Sequence, residues 1–296
     1  MDGPPRIFDR RLHGLHLARA AGRFSAADFL KARAAADIVE RLEAVNRSFE
    51  TALDLGARTG VFARALGQSP AAGKIGRLVS ADLSARMLDR AAGARVVVDE
   101  ERLPFAPASL DLVVSSLSLH WVNDLIGALT QVRLALKPDG LFIGALLGGH
   151  TLSELRTCIM EAESELRGGA GPRVSPFVEP ADAGSLLQRA GFALPVADTD
   201  EVEVRYDHPL KLIADLRAMG ETGALVDRPT APLTRAVLAR AMEIYGQRHA
   251  GPDGRIVAGF QILTLTGWAP HPDQPKPARR GSGQVSLAEA LKPRER

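Results

Sequence analysis

One cysteine, Cys158, is present in 296 residues, which excludes an internal disulfide framework and any metal site built from several thiolates. It falls inside a helical pattern over Thr151–Arg167, so a packed thiol is expected. No apolar run reaches the roughly 20 residues a bilayer-spanning helix needs. The N-terminus lacks both a basic–apolar signal peptide and a long Arg/Ser-rich presequence, because foldable sequence begins near Ile7. A cytoplasmic protein of bacterial type with no membrane span is expected. Repeats with periods of about 20–50 residues and heptad arrays are also missing, which excludes solenoids and coiled coils.

A charge excess of one sign is missing as well. The chain holds 37 Lys and Arg against 35 Asp and Glu, for a net charge of +2. The sequence pI near 8.9 nevertheless invites a nucleic-acid reading. The surplus sits in Pro270–Arg296, where six basic residues face three acidic ones, so residues 1–269 carry about −1. A basic tail on a neutral body is not a stripe that tracks a phosphate backbone, and no nucleic-acid partner is expected.

Apolar runs alternate with helical patterns. Ala26–Val45 reads as an amphipathic helix, with Phe29, Leu30, Ile38, Val39, Leu42 and Val45 at helical spacing and Ser25 or Asp28 as its cap. Five strands follow: Thr51–Leu55, Arg77–Ala81, Arg95–Val98, Leu110–Ser115 and Leu141–Leu147. Helices at Val61–Leu66, Ser84–Ala92 and Leu125–Leu136 separate them, and Lys137-Pro138-Asp139-Gly140 reads as a turn. Such alternation implies parallel βαβ units with both sheet faces covered. Farther on, helices at Thr151–Arg167 and Asp182–Ala190 precede a strand at Val196–Tyr206, and helices at Leu210–Met219 and Leu233–Arg248 precede a last strand at Arg255–Trp268. Beyond Pro270 the composition predicts disorder.

Chemistry concentrates at strand ends. The loop Leu53-Asp54-Leu55-Gly56-Ala57-Arg58-Thr59-Gly60 follows a strand and opens a helix, where glycines let a ligand approach and free N–H groups face a negative group. Asp82 closes the second strand, where a carboxylate can accept ribose hydroxyls; Asp99 closes the third, in reach of an adenine amino group. Either acid can equally cap a helix or sit in a solvated turn. Together, in order, the three features predict a ligand crevice at the carboxyl ends of the strands. A nicotinamide dinucleotide stays open on this logic, although the loop lacks G-x-G-x-x-G spacing.

Leu53–Gly60, Ala81–Ser84, Asp99–Phe105 and Leu136–Gly140 resemble the successive motifs of class I methyltransferases. The resemblance implies an α/β, Rossmann-like fold with a mostly parallel seven-stranded sheet and a helical cap insertion. It also implies S-adenosylmethionine as cofactor, its methionine part at Asp54, Gly56 and Gly60, its ribose at Asp82 and its adenine at Asp99. The domain layout it implies is an N-terminal helical cap over 1–48, a methyltransferase-like domain over 49–269 with a helical lid over about 208–250, and a disordered basic tail over 270–296.

A narrower match spans nearly the whole chain. Ile7–Arg10, Leu112–Leu125, Ser175–Phe177, Met219–Glu221 and Arg280–Leu287 resemble the methyltransferase-like arginine hydroxylase family of mitochondrial complex I assembly factors. This implies action on the quinone-site subunit of NADH–quinone oxidoreductase, by hydroxylation of an arginine. Malonyl-carrier-protein O-methyltransferases are similar in the core motifs and around Leu210–Gly223, but not in the Arg280–Leu287 tail. A non-catalytic assembly chaperone on the same fold is the third reading.

His120 and Trp121 follow the fourth strand, at the crevice edge where substrate would meet the cofactor's sulfonium. His120 can serve as a base or an orienting donor, and Trp121 can stack on a guanidinium; both can instead pack in the cap. Arg10 is either a contact or an exposed helix-start residue, and Ile7–Arg11 joins the expected lid. A facial triad would need two histidines and a carboxylate. His271-Pro272-Asp273 lies in the Pro-rich tail and His13-x-x-His16 has no third ligand, so a solvated pair and no metal are expected. One departure stands out. The family-type loop has glycine where this chain has Arg58, which must point outward or close on the ligand.

Overall fold

The computed structural model describes residues 5–229, 231–275 and residue 286. Its frame is one seven-stranded sheet: β1 Phe49–Leu55, β2 Ile75–Asp82, β3 Ala94–Val97, β4 Leu110–Ser116, β5 Leu136–Leu147, β6 Ala193–Tyr206 and β7 Ile256–Trp268. The order is β3-β2-β1-β4-β5-β7-β6. β1 to β5 run parallel, and β7 lies antiparallel to both β5 and β6. The strand order reverses between β1 and β4, the point at which open α/β sheets build ligand crevices. The fold is the Rossmann-like methyltransferase architecture.

The central strands became legible as unbroken apolar runs because both faces are covered. Leu53 and Leu55 on β1, Val113 on β4 and Phe142 on β5 pack with the helices α5 Leu125–Ala135 and α7 Pro180–Arg189. On the other face, Ala52, Leu112, Val114 and Ile143 share one core with α2 Phe29–Ala44, which packs on β4 and β5, and with α6 Ser153–Arg167 and α9 Arg235–Arg248, which pack on each other. The edge strand β6 alternates and carries Asp198, Asp200, Glu201 and Glu203, charges that blunt a free sheet edge. Cys158 is fully buried in the second of these layers, and burial pushes its thiol up to about 11.

Three local expectations shift. The helix expected over Ser84–Ala92 shortens to α4 Ala85–Leu88, capped by Ser84. Lys137–Gly140 does not separate a helix from a strand but lies within β5: between the pairs Leu110–Leu136 and Leu112–Leu141, one residue of β4 (Asp111) stands opposite four of β5 (Lys137 to Gly140), with Asp139 at φ 61°. That makes it a bulge. Asp28 stands at the N-cap of α2 but makes no capping bond; its carboxylate pairs with Arg64 at 2.9 Å.

The N-terminus is docked. Helix α1, Arg10–Ala20, is capped by Asp9, whose side chain accepts from Leu12 N–H at 2.9 Å. Ahead of it, the Ile7 and Phe8 N–H groups donate to Asn123 Oδ1, and Phe8 bridges to Leu225. The first tail residues also pack: Gln274 Nε2 donates to Asp139 Oδ1 and the Ala269 carbonyl at 2.8 and 2.9 Å. The Arg280–Leu287 motif lies, apart from Ser286, outside the described residues. Among the described residues, no helix is long and apolar enough to cross a membrane.

Candidate active site

β1, β2 and β3 deliver their acids to one end of the sheet in the expected order. Asp54 is wholly buried near the end of β1, and neither carboxylate oxygen has a donor among the described residues. Burial drives its pKa up to about 7, and Asp82 adds to the rise while nearby Lys31 and Arg58 oppose it. Asp82 at the end of β2 is equally buried, but its oxygens are occupied. Oδ2 accepts from the backbone N–H and from Nη1 of Arg58, each at 2.9 Å; Oδ1 accepts from Ser84 N–H at 2.8 Å. Arg58 therefore does not point to solvent. It folds inward, 1% exposed, from a left-handed backbone at φ 53°.

Asp99 lies just beyond β3 and bonds Arg10 Nη2 at 2.8 Å; the same nitrogen pairs with buried Glu100. Glu100 in turn accepts from Ser118 Oγ at 2.6 Å. The Arg10 side chain is 11% exposed, so it is a tertiary contact rather than a solvated helix start.

Lys31 completes this layer. Its ammonium, carried by α2, donates to the Gly56 carbonyl at 2.7 Å, to Ser116 Oγ at 2.9 Å and to the Ser116 carbonyl. Burial lowers its pKa to about 8, and Arg58 presses in the same direction, while Asp54 and Asp82 raise it. The loop glycines are small for internal reasons. A Cβ on Gly56 would sit 2.2 Å from Ser118 Cβ, and one on Gly60 would sit 3.2 Å from Ala91 Cβ.

His120 and Trp121 occupy a single 3-10 turn, Leu119–Trp121, directly after β4. Both converge on Glu221: His120 Nε2 lies 3.1 Å from Oε2, and Trp121 Nε1 donates to the same atom at 2.6 Å. Burial would push the Glu221 carboxyl up, yet His120, Arg58 and the indole N–H together hold it below the usual carboxylate range. The second oxygen, Oε1, has no donor among the described residues. Trp121 is 2% exposed, and one ring face is taken by His13, stacked at 4.3 Å. His13 is buried and, through burial and then Arg58 and Arg10, its pKa falls well below normal, so it is a neutral packing group. The solvated His13–His16 pair expected from sequence does not occur, since His16 Nδ1 meets the Thr222 carbonyl at 3.2 Å.

Beneath this cluster lies a cavity of about 330 Å³. Apolar side chains such as Leu30, Leu147, Leu155 and Phe260 form its walls, while Lys31, Arg58, His120, Trp121 and Glu221 give it a polar end. None of Asp54, Gly56, Gly60, Asp82 and Asp99 lines it. Arg58 and Lys31 touch both the cavity and the strand-end acceptors, and so stand between them.

A methyltransferase-domain family model matches residues 53–144, from β1 to β5. The arginine hydroxylase NDUFAF5, mitochondrial, of Homo sapiens is 42% identical over 267 residues, spanning 88% of this chain and 76% of that protein. The chain belongs to this arginine-hydroxylase family. It is an enzyme of the class I methyltransferase fold. A malonyl-[acyl-carrier protein] O-methyltransferase of Methylovorus is 32% identical, over 85% of this chain and 86% of that protein. In fold, the chain resembles the YcgJ protein from Bacillus subtilis, with a TM-score of 0.56 at 13% identity, over 80% of this chain and 98% of that one.

For a member of the arginine-hydroxylase family on this fold, the crevice must be tested for S-adenosylmethionine. As they stand, the residues do not fit it. Asp82, the ribose acid of the resemblance, is filled by Arg58 and Ser84; the Gly56 and Ser116 carbonyls are filled by Lys31; Asp99 holds Arg10. Among the described residues Asp54 keeps both acceptors open, and Asp99 keeps its Oδ2.

Three participants escaped the sequence reading. Lys31 was a charge between apolar residues, although 31, 35, 38 and 42 share one helical stripe and all are buried. His13 likewise shares a buried stripe with Leu17 and Ala20. Glu221 entered only inside a family motif; no local pattern pairs it with His120, 101 residues away.

Proposed function

We propose that this enzyme modifies, by hydroxylation, an arginine of the quinone-site subunit of NADH–quinone oxidoreductase. The observation that carries the reading is Glu221. A carboxylate held ionised at the polar end of an apolar cavity, with Oε1 free of protein donors among the described residues, is a receptor for a guanidinium. The apolar walls accommodate the aliphatic stem of a long cationic side chain, which buries its methylenes readily.

In this reading Glu221 binds the guanidinium through Oε1. His120 is oriented by Oε2 of the same carboxylate, and its Nδ1, buried without a partner among the described residues, is the nitrogen available to hold or accept a proton. Trp121 acts as a positioning residue: its N–H fixes Glu221, and its stacking on His13 leaves no second role as an open platform on that face. In this reading the lid comprises Ile7–Arg11 and the helices α8, Pro209–Met219, and α9; of these, α8 and its C-terminal loop carry Met219 and Glu221 into the cavity wall. In the same reading the crevice formed by Asp54, Gly56, Gly60, Asp82 and Asp99 would hold S-adenosylmethionine only after Arg58 and Lys31 have withdrawn from it.

One observation favours a second reading, an O-methyltransferase acting on an acidic acyl group. Arg58, Arg173 and Arg217 all line the cavity, and the Arg58 Nη2 atom is buried without an acceptor among the described residues. The experiment that separates the two is peptide mass spectrometry of the quinone-site subunit from cells with and without the gene. The arginine reading expects the oxygen-bearing arginine to vanish in the deletant, and persistence of that arginine rejects it. Rescue of a biotin auxotroph would support the second.

A further inference from the structure

Asp82 and the two carbonyls beside the loop are satisfied by cations, and both cations come from this chain. Arg58 reaches Asp82 twice, through backbone and guanidinium. Lys31 places an ammonium against the Gly56 and Ser116 carbonyls. These are the groups that a ligand with a primary ammonium and a ribose diol would need at this sheet end: carbonyl oxygens for the amine, a carboxylate for the hydroxyls. We propose that Arg58 and Lys31 are internal competitors of S-adenosylmethionine, filling its ribose and ammonium positions so that the cofactor enters only by displacing both. The proposal rests on the reading of this crevice as the cofactor's site.

Three further observations bear on it. First, Arg58 stands where the resemblance places glycine, in the left-handed backbone region that glycine adopts freely. The residue there is thus larger than the backbone calls for, and its bulk and charge are directed onto Asp82. Second, two carboxyl groups have oxygens free, among the described residues, to receive displaced cations: Asp54, with both oxygens unpartnered, and Glu221, with Oε1 open. Third, the cofactor is itself a sulfonium. Bringing a third cation beside Arg58 and Lys31 in a buried site is electrostatically disfavoured, whereas S-adenosylhomocysteine, its neutral thioether, escapes that repulsion.

Calorimetric titration of the full chain with S-adenosylmethionine and with S-adenosylhomocysteine tests this, on wild type, Arg58→Gly and Lys31→Met. Arg58→Gly keeps two backbone donors on Asp82 and relaxes the backbone; Lys31→Met keeps the side-chain volume. Expected are weak S-adenosylmethionine binding by wild type, at least tenfold tighter binding by each variant, and a wild-type preference for S-adenosylhomocysteine that shrinks in both. Asp82→Ala placed on Arg58→Gly should remove the gain. If Arg58→Gly does not fold by thermal melting, Lys31→Met alone decides. Wild-type affinity equal to that of the variants overturns the competition while leaving the crevice assignment intact. Absence of binding in every folded form overturns both.

Discussion

The Arg58 guanidinium lies 2.9 Å from Asp82, with the two side chains 1% and 0% exposed. Such a pair is held in place by the penalty for breaking it more than by its net strength. Removing one partner strands a buried charge, which typically costs about 3–5 kcal/mol. Asp82→Ala should therefore lower the unfolding free energy by about that amount. Arg58→Gly should lower it less, because two N–H donors remain on Asp82 and the φ of 53° no longer carries a Cβ. Urea unfolding of both variants measures this, and an Asp82→Ala effect below about 1 kcal/mol would contradict a buried ion pair.

Lys31 makes stability depend on pH. Its folded pKa, near 8, lies below the ordinary 10.5, so between those values the unfolded chain holds a proton that the folded chain has released. Folding is then favoured increasingly as pH rises from about 8 to 10.5, and this contribution is lost as pH falls through 8. Lys31→Met should flatten that segment of the stability profile, a difference on the order of 1–3 kcal/mol. Parallel wild-type and variant profiles across the window would count against a buried, partly desolvated ammonium.

Much of this arrangement was legible in the chain itself. β1, β4 and β5 announced themselves because strands buried on both faces read as apolar runs, and Asp54, Asp82 and Asp99 stand at or just beyond the ends of β1, β2 and β3. What stayed hidden are partnerships across sequence distance. Arg10 meets Glu100 across 90 residues, and Trp121 meets Glu221 across 100. A local pattern also cannot tell that Lys31 is buried, since its charge masks the stripe on which it lies. The bulge at Lys137–Gly140 was hidden for a related reason: Pro, Asp and Gly signal a turn whether the strand ends there or merely swells.

Arg10 ties the N-terminal segment to the crevice through Asp99 and Glu100. Arg10→Ala leaves Glu100, 1% exposed, without its cation, and should cost about 3 kcal/mol. It should also free the segment before α1, so limited trypsin digestion should cut near Arg6 and Arg11 sooner than in wild type. Unchanged digestion would show that Asn123 and Leu225 suffice to hold the segment.

Gly56 tests the loop's internal packing. Its φ of 76° and the 2.2 Å approach of a hypothetical Cβ to Ser118 leave no room for alanine. Gly56→Ala should destabilise the fold by about 1–3 kcal/mol, and Ser118→Gly in the same chain should recover part of it. Equal melting temperatures for wild type and Gly56→Ala would refute the packing role.

The central claim is that Glu221 receives the guanidinium of a substrate arginine. Its most direct test is Glu221→Gln, which keeps the shape and removes the charge, expressed in place of wild type, with the quinone-site subunit's arginine peptides then read by mass spectrometry. The account predicts a fall in oxygen-bearing arginine of at least about a hundredfold, with melting within a few degrees of wild type and partial recovery in Glu221→Asp. Wild-type levels of modified arginine in a folded Glu221→Gln protein would contradict it.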